Sequence, residues 1–473
     1  MIDPLTSALL TDAAAQILAR EKDYQLYTDY YAGRQRIRYA TEKYRNAFAY
    51  LFTAMSLNLS KGVVNAPADR LEMIGFSTQK GGAALADKAW EIWQDNRMDI
   101  RAGVVHKAAL LYGNAYAIIW PDKTGRPVIH PNTSDGIVVA YDAETPGLIA
   151  SAVKMWAIPS ADPGSKAFKV RATVYLPDRI EKYISSAAMN GIPAGLSGAA
   201  FEEYRDDPAD GGKWPLPNPW GVVPVFHFAN DADSSMGYSE LQDIIPLQDA
   251  LNKSVYDMMV AMEFSAFAQR WAVGLEVEID EVTGRPVQPF EPGVDRVWAV
   301  ANESVKFGEF SRADLKQFLE VKQDFKLDIA QVSATPLHYL ALIKDPPSGE
   351  ALKTLEARFV KKVRDRQASF GAQWEALMAL ALRMAKLAGP NVRLTARWQD
   401  AATKSEKMEW ETLILKQTVG VDTATLLEEG GYGKADAQLM AAARQQQVAD
   451  QLALQKADPE ETKLMNKTLS LEK

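Results

Sequence analysis

The chain has 473 residues and a mass of 52.2 kDa, enough for about three domains at roughly 150 residues each, and its 47% hydrophobic and 24% charged content excludes a disordered or collagenous polymer. Fifty-three Lys and Arg against 61 Asp and Glu leave a net charge of −8, which argues against a cationic scaffold that wraps nucleic acid by neutralising phosphates. With no cysteine, disulfides, thiolate zinc sites, iron–sulfur clusters and cysteine nucleophiles are all excluded.

Met1 to Arg20 reads as a short amphipathic helix carrying Asp3 and Asp12, without the basic start and long apolar run of a signal peptide. No window approaches the roughly 18 uninterrupted apolar residues that span a bilayer, so the expectation is a soluble chain made in the cytosol, with no membrane partner. Helical patterning continues to about Phe76, through the cluster Tyr24, Tyr27, Tyr30 and Tyr31, a break at Gly33, and a second stretch holding Leu59, Val63, Val64 and Leu71. After Gly81-Gly82, helices are predicted over Ala83–Asn96 and Ile100–Tyr112, the latter stopped by Gly113-Asn114, a pair suited to a left-handed cap.

From Ala115 to Asn230 the pattern changes to short apolar or alternating runs between turn residues, which predicts a β-rich segment with an exposed connection around Gly211-Gly212, Pro215, Pro217 and Pro219. Ser239 to about Ala268 returns to helical spacing over about 45 Å, with Pro246 either kinking the helix or marking where its straight part begins. Trp271 to Phe310 reads as strands and turns, with TGRPVQPFEPG a loop and VWAV a strand core. Ser311 is expected to cap a helix through Val332, with Leu315, Phe318, Leu319, Phe325 and Ile329 on one side.

Ala334 to Gly349 is rich in breakers. Glu350 to about Ala388 is the longest helical pattern, striped by Leu352, Leu355, Phe359, Val363, Phe370, Trp374 and Leu377. The run VRLTARW is strand-like, and the region from about Lys404 is helical apart from Gly430-Gly431. The last thirty residues read as a surface helix at most, or as a disordered tail.

Little in this pattern carries catalytic chemistry. His106, His130, His227 and His338 are far apart and fit no metal spacing, so each reads as a structural or surface histidine. GGYGKAD lacks the hydroxyl residue of a phosphate-binding loop, and neither a nucleophile elbow nor a dinucleotide fingerprint is present. No enzyme and no cofactor is implied. The basic string Lys361 to Arg366, with Lys353 and Arg358, reads either as a solvated or ion-paired helix face or as a contact for DNA or an acidic neighbour. The helices Ser239–Ala268 and Ser311–Val332 flank a β insertion about 40 residues long and must lie side by side, as an ordinary amphipathic hairpin or as the lining of a ring.

Five strings in order, YYAGR (Tyr30–Arg34), NLSKGVVNAPADRLEMIGF (Asn58–Phe76), YGNAYAIIW (Tyr112–Trp120), GYSELQDIIPLQDALNKSV (Gly237–Val255) and RWAVG (Arg270–Gly274), carry a resemblance. The sequence resembles the portal proteins of tailed bacteriophages, in the SPP1-portal-like group, from about Tyr30 to Ala388 and more weakly beyond. The resemblance implies an α+β, mainly helical portal fold that assembles into a dodecameric ring at one capsid vertex. Residues 1–238 would form the wing, 239–270 a stem helix, 271–310 the clip, 311–333 the second stem helix and 334–349 a tunnel loop. Residues 350–402 would form a long wing helix with its following strand, and 403–473 the crown and C-terminal tail, without a barrel-forming extension.

The resemblance further implies a head–tail connector through which double-stranded DNA is packaged and ejected. Its expected partners are the terminase large subunit, head-completion and adaptor proteins, and the major capsid and scaffolding proteins, in the virion and, during assembly, in the host cytoplasm. A conduit needs a weak potential, because every phosphate held by a fixed cation must be released at the next step. His338, Lys344 and Asp345 are the expected channel residues, with Lys344 either a transient phosphate contact or a partner of Asp345 or a neighbouring carboxylate. Another oligomeric capsid or tail adaptor, and a metal-dependent nuclease with dispersed carboxylates, are the rival readings.

Overall fold

The computed structural model describes residues 2–35, 57–78, 82–159, 168–189, 191–205, 213–231, 236–266, 270–274, 279, 284, 304–309, 315–341, 348–402, 406–430, 432 and 434–456. The chain divides into two compact units, Met1–Ala401 and Ala402–Lys473.

The first helix outruns its Ala-rich opening. α1 spans Pro4–Ala32, with proline in the first turn, where its missing N–H is not needed, and ends at Gly33 with φ 72°. There Arg34 N–H reaches Asp29 O at 2.8 Å and Gly33 N–H reaches Tyr30 O at 3.3 Å, closing the last turn. Among the described residues that follow, α2 spans Ser60–Ala68, and Met73–Ser77 is a strand, β1, where the pattern reads as helical to about Phe76. Its partner is β13, Thr395–Trp398, paired antiparallel, so the hydrogen bonds that make it a strand come from residues no local window contains.

α3 (Gly82–Asp95) and α4 (Met98–Tyr112) follow, and α4 stops at Gly113, φ 83°, as its Gly-Asn pair predicts. A Cβ at Gly113 would lie 2.4 Å from Gly237 O, and one at Gly237 would lie 2.0 Å from Gly113 O, so two backbones touch where only glycines fit.

The β-rich segment makes two antiparallel sheets. β2 (Asn114–Pro121) is flanked by β3 (Pro127–Thr133) and β10 (Val225–Ala229). The other sheet runs in the order β4 (Ile137–Tyr141), β5 (Ile149–Pro159), β6 (Phe168–Tyr175), β7 (Arg179–Ser185), β8 (Phe201–Glu203), with β9 (Leu216–Pro217) also on β7. The first half of α1 covers this second sheet, setting Leu10, Ala13, Ala14 and Ile17 against Val170, Ala172, Val174 and Tyr183. Thr6 at its start donates to the buried Glu181 at 2.8 Å.

α5 spans Ile245–Ala266. It begins six residues later than its periodicity predicts, because Pro246 suits only a first turn and Ser239 to Ile244 fold into tight turns, with Ile244 N–H on Leu241 O at 3.2 Å. β11 (Arg270–Val273) pairs with β12 (Lys306–Glu309), and α6 (Lys316–Val332) packs along α5, which meets the side-by-side expectation. VWAV, Ser311 and most of the TGRPVQPFEPG loop lie outside the described residues. The breaker-rich interval contains a short helix, α7, at Leu337–Leu340.

α8 runs from Gly349 to Met384 behind Ser348, whose side chain accepts from Ala351 N–H. Its Phe359, Val363, Phe370, Trp374 and Leu377 enter the principal core with Trp93, Met98, Leu110 and Phe228. Leu355, counted in its apolar stripe from the sequence, is 60% exposed instead. The second unit holds α9 (Glu406–Thr418), α10 (Thr423–Glu429) and α11 (Lys434–Lys456); α11 carries helix well into the region expected to be at most a surface helix. Among the described residues no helix is long and apolar enough to cross a membrane.

Candidate functional site

The distinctive element is the arm formed by α5 and α6. Its root is polar yet buried: Gln248, Asp249 and Asn252 lie on one face of the first turns of α5. Gln248 donates to Leu57 O at 2.6 Å and accepts from Leu59 N–H at 3.0 Å, and Asn252 accepts from Leu57 N–H at 3.1 Å. Asp249 accepts from Tyr30 O–H at 2.6 Å, which gives the aromatic cluster of α1 a polar task as well as a packing one. A buried polar row costs little when its groups are hydrogen-bonded, and it fixes the helix in one rotation. Further along α5, Met262 is 49% exposed.

The feet of both helices meet at one carboxylate. Glu240, just before α5, pairs with Lys362 and, at 3.4 Å, with Arg366, one turn apart on α8. Lys362 also donates to Ser333 O, at the end of α6, at 2.8 Å. Asn230 donates to Glu240 at 3.1 Å and Arg366 to Asp231 at 3.2 Å. Side-chain exposure is 7% for Glu240 and 13% for Lys362, so removing either would leave a buried charge unmatched. The basic string on α8 is therefore largely committed within the chain: Arg364 pairs with Asp400 at 3.3 Å, Lys361 with Asp365, and Arg358 donates to Gln331 O at 3.2 Å. The sequence displays the cations at helical spacing, but not the Glu240 carboxylate they share.

A second anchor lies just beyond α6. Glu356 on α8 meets His338 Nε2 at 2.9 Å and accepts from Tyr339 O–H at 3.2 Å, while Arg70 donates to the Tyr339 hydroxyl at 2.7 Å. Of the three expected channel residues, His338 thus sits half-buried against α8, and Lys344 and Asp345 lie outside the described residues.

The other histidines are structural or superficial. His106 is buried, accepts from Trp374 Nε1–H at 2.8 Å and places Nδ1 3.1 Å from Leu71 O; burial drives its pKa down to about 4. His227, between Tyr141 O–H at 2.7 Å and Asn114 Oδ1 at 2.8 Å, is lowered to about 3, by burial first and by the Arg20 charge second. His130 is exposed on β3. Among the described residues no three His, Asp or Glu side chains group to hold a metal.

Known proteins place this architecture. The chain is similar to the "Portal protein" of Mycobacterium phage D29, 26% identical over 364 residues, covering 72% of this chain and 68% of the relative. It is also similar to the "Portal protein" of Mycobacterium phage L5, 27% identical over 356 residues with the same shares. Among solved structures it resembles a chain of "Virion of native gene transfer agent (GTA) particle", at 12% identity and a TM-score of 0.45, covering 79% of this chain and 89% of that one. The class is that of virion-associated structural proteins of phages. The model of the family described as phage portal protein, SPP1 Gp6-like, matches residues 14–448, and the chain belongs to that family.

Proposed function

We propose that copies of this chain close into a ring at a capsid vertex, dodecameric as in the resemblance above, and that double-stranded DNA passes through it during packaging and ejection. The observation that carries this reading is the arm: two paired helices fastened at both feet to α8 and leading directly into residues 334–349. In the ring, α5 and α6 serve as the stem, 271–310 as the clip, 334–349 as the tunnel loop, residues 1–238 and 350–402 as the wing, and 403–473 as the crown and tail. The terminase large subunit docks at the clip, and head-completion proteins replace it afterwards; capsid and scaffolding proteins complete the set of partners.

Charge supports the conduit. The charges of α6 balance, Lys316, Lys322 and Lys326 against Glu320, Asp324 and Asp328, and the whole chain carries −8, so a polyanion meets little that would hold it. Lys344, with Asp345 beside it, is the transient phosphate contact, and His338 anchors the loop that carries them.

The test has two parts. The purified chain should assemble into closed rings on the order of several hundred kilodaltons, given 52.2 kDa per copy. Shortening the 334–349 loop should leave rings intact while capsids fill poorly with DNA. A chain that stays monomeric under all assembly conditions, or a loop variant that fills capsids normally, would refute the reading.

A further inference from the structure

Among the described residues four that are not glycine have left-handed backbones, and they lie in or beside two clefts. Asp231 and Ala334 belong to the cleft around Glu240, whose charges are already matched. Arg97 (φ 53°) lines the other, a cleft of about 570 Å³ where the α3–α4 corner, the β2–β3 hairpin and the end of α8 come together, and Lys386 (φ 58°) sits between two residues that line it, Ala385 and Leu387.

Neither cation is required by the corner it occupies. Lys386 closes α8, donating N–H to Arg383 O at 3.1 Å while Leu387 N–H reaches Leu382 O at 2.9 Å, a position where glycine is the usual residue. The α3–α4 corner is held by Asn96, which accepts from Ile129 N–H at 2.8 Å and donates to Pro127 O at 3.1 Å. The Arg97 side chain is exposed and makes no hydrogen bond or ion pair among the described residues. Both positions thus put a cation where glycine would relieve strain, the pattern of residues kept for binding at the expense of stability.

The rest of the cleft completes the pattern. Arg101 and Arg126 add two more cations, and Leu387 leaves an apolar surface 47% exposed. Two carboxylates line it. Asp122 accepts from Thr124 N–H at 2.8 Å and Arg126 N–H at 3.0 Å and also pairs with the exposed Arg126 side chain at 3.5 Å, so three guanidinium groups stand against Asp95 and Asp122. On a chain of net charge −8 this is a local reversal of sign.

We propose that this cleft docks an acidic peptide segment of a partner protein, its carboxylates paired with Arg97, Arg101 and Arg126 and one apolar side chain set against Leu387. Guanidinium groups suit carboxylates because their planar forks offer paired donors. The site lies wholly within Met1–Ala401 and does not depend on ring closure or on the channel assignment.

The full-length chain should bind a fluorescein-labelled octapeptide of alternating Glu and Leu saturably in fluorescence polarisation, more weakly as salt rises, and should ignore the Lys–Leu counterpart. Arg97→Gly combined with Arg126→Gln should weaken binding about tenfold. Arg97→Gly alone should keep or raise the urea unfolding midpoint, since glycine relieves the left-handed strain, and Lys386→Gly should behave the same way. Equal binding of the basic peptide, affinity unchanged in the double variant, or a lowered midpoint in both glycine variants would overturn the proposal. Preferential displacement of the peptide by duplex DNA would also overturn it, in favour of a nucleic-acid site.

Discussion

Mild acid should loosen the body of this protein at two buried imidazoles before most of its carboxylates titrate. His106 and His227 have folded pKa values of about 4 and about 3, against an ordinary 6.5. Because both folded values lie below the unfolded one, the unfolded chain binds more protons at intermediate pH, so stability is fully present above about pH 6.5 and drains away as pH falls toward 4 and 3. Between pH 7.5 and pH 5 each imidazole removes roughly 2 kcal/mol, about 4 together, a large share of the stability of an ordinary domain. Urea unfolding followed by tryptophan fluorescence at a series of pH values measures this directly, since Trp374 donates to His106. His106→Gln retains a donor and an acceptor but cannot titrate. Its stability at neutral pH should be lower, and its loss between pH 7.5 and pH 5 should be about half that of the parent chain. An unchanged pH slope in that variant would refute the assignment of the neutral, buried imidazole.

Two further outcomes follow from the packing. Glu240→Gln leaves Lys362 and Arg366 without their shared carboxylate and should cost about 3–5 kcal/mol, with hydrogen exchange accelerated at residues 239–245 and 330–334 while α3 and α4 stay protected. Gly113→Ala meets both a left-handed φ and the Gly237 carbonyl, and should lower the unfolding midpoint by more than about 2 kcal/mol in free-energy terms, whereas Gly125→Ala, with a similar φ but open space around it, should cost less.

What the sequence discloses and what it conceals divide along the distance between partners. The α4 helix and its cap at Gly113, the β-rich middle and the length of α8 are written in local periodicity, because each carries its own apolar spacing and end signals within a short window. β1 is not, since the strand that pairs with it is β13. The beginning of α5 is ambiguous because apolar residues before Pro246, such as Leu241 and Ile244, are buried in turns at helix-like spacing. At the site, the cations of α8 are visible as a string, but their commitment to Glu240, Asp231 and Asp400 is a tertiary fact. It turns an apparent outward-facing charge patch into an internal fastening. His338 stands out in the loop sequence, yet its acceptor, Glu356, lies a helix away.

The joining of Met73–Ser77 to Thr395–Trp398, with Phe370 and Trp374 completing the interior around Trp93, also sets a timetable for biosynthesis. A ribosome releases the chain from its N-terminus, so most of the polypeptide must emerge before its central hydrophobic cluster can close. Until then Trp93 and Phe76 wait for residues not yet translated, and any quaternary assembly that depends on the finished body has to follow the emergence of Thr395–Trp398 from the ribosome.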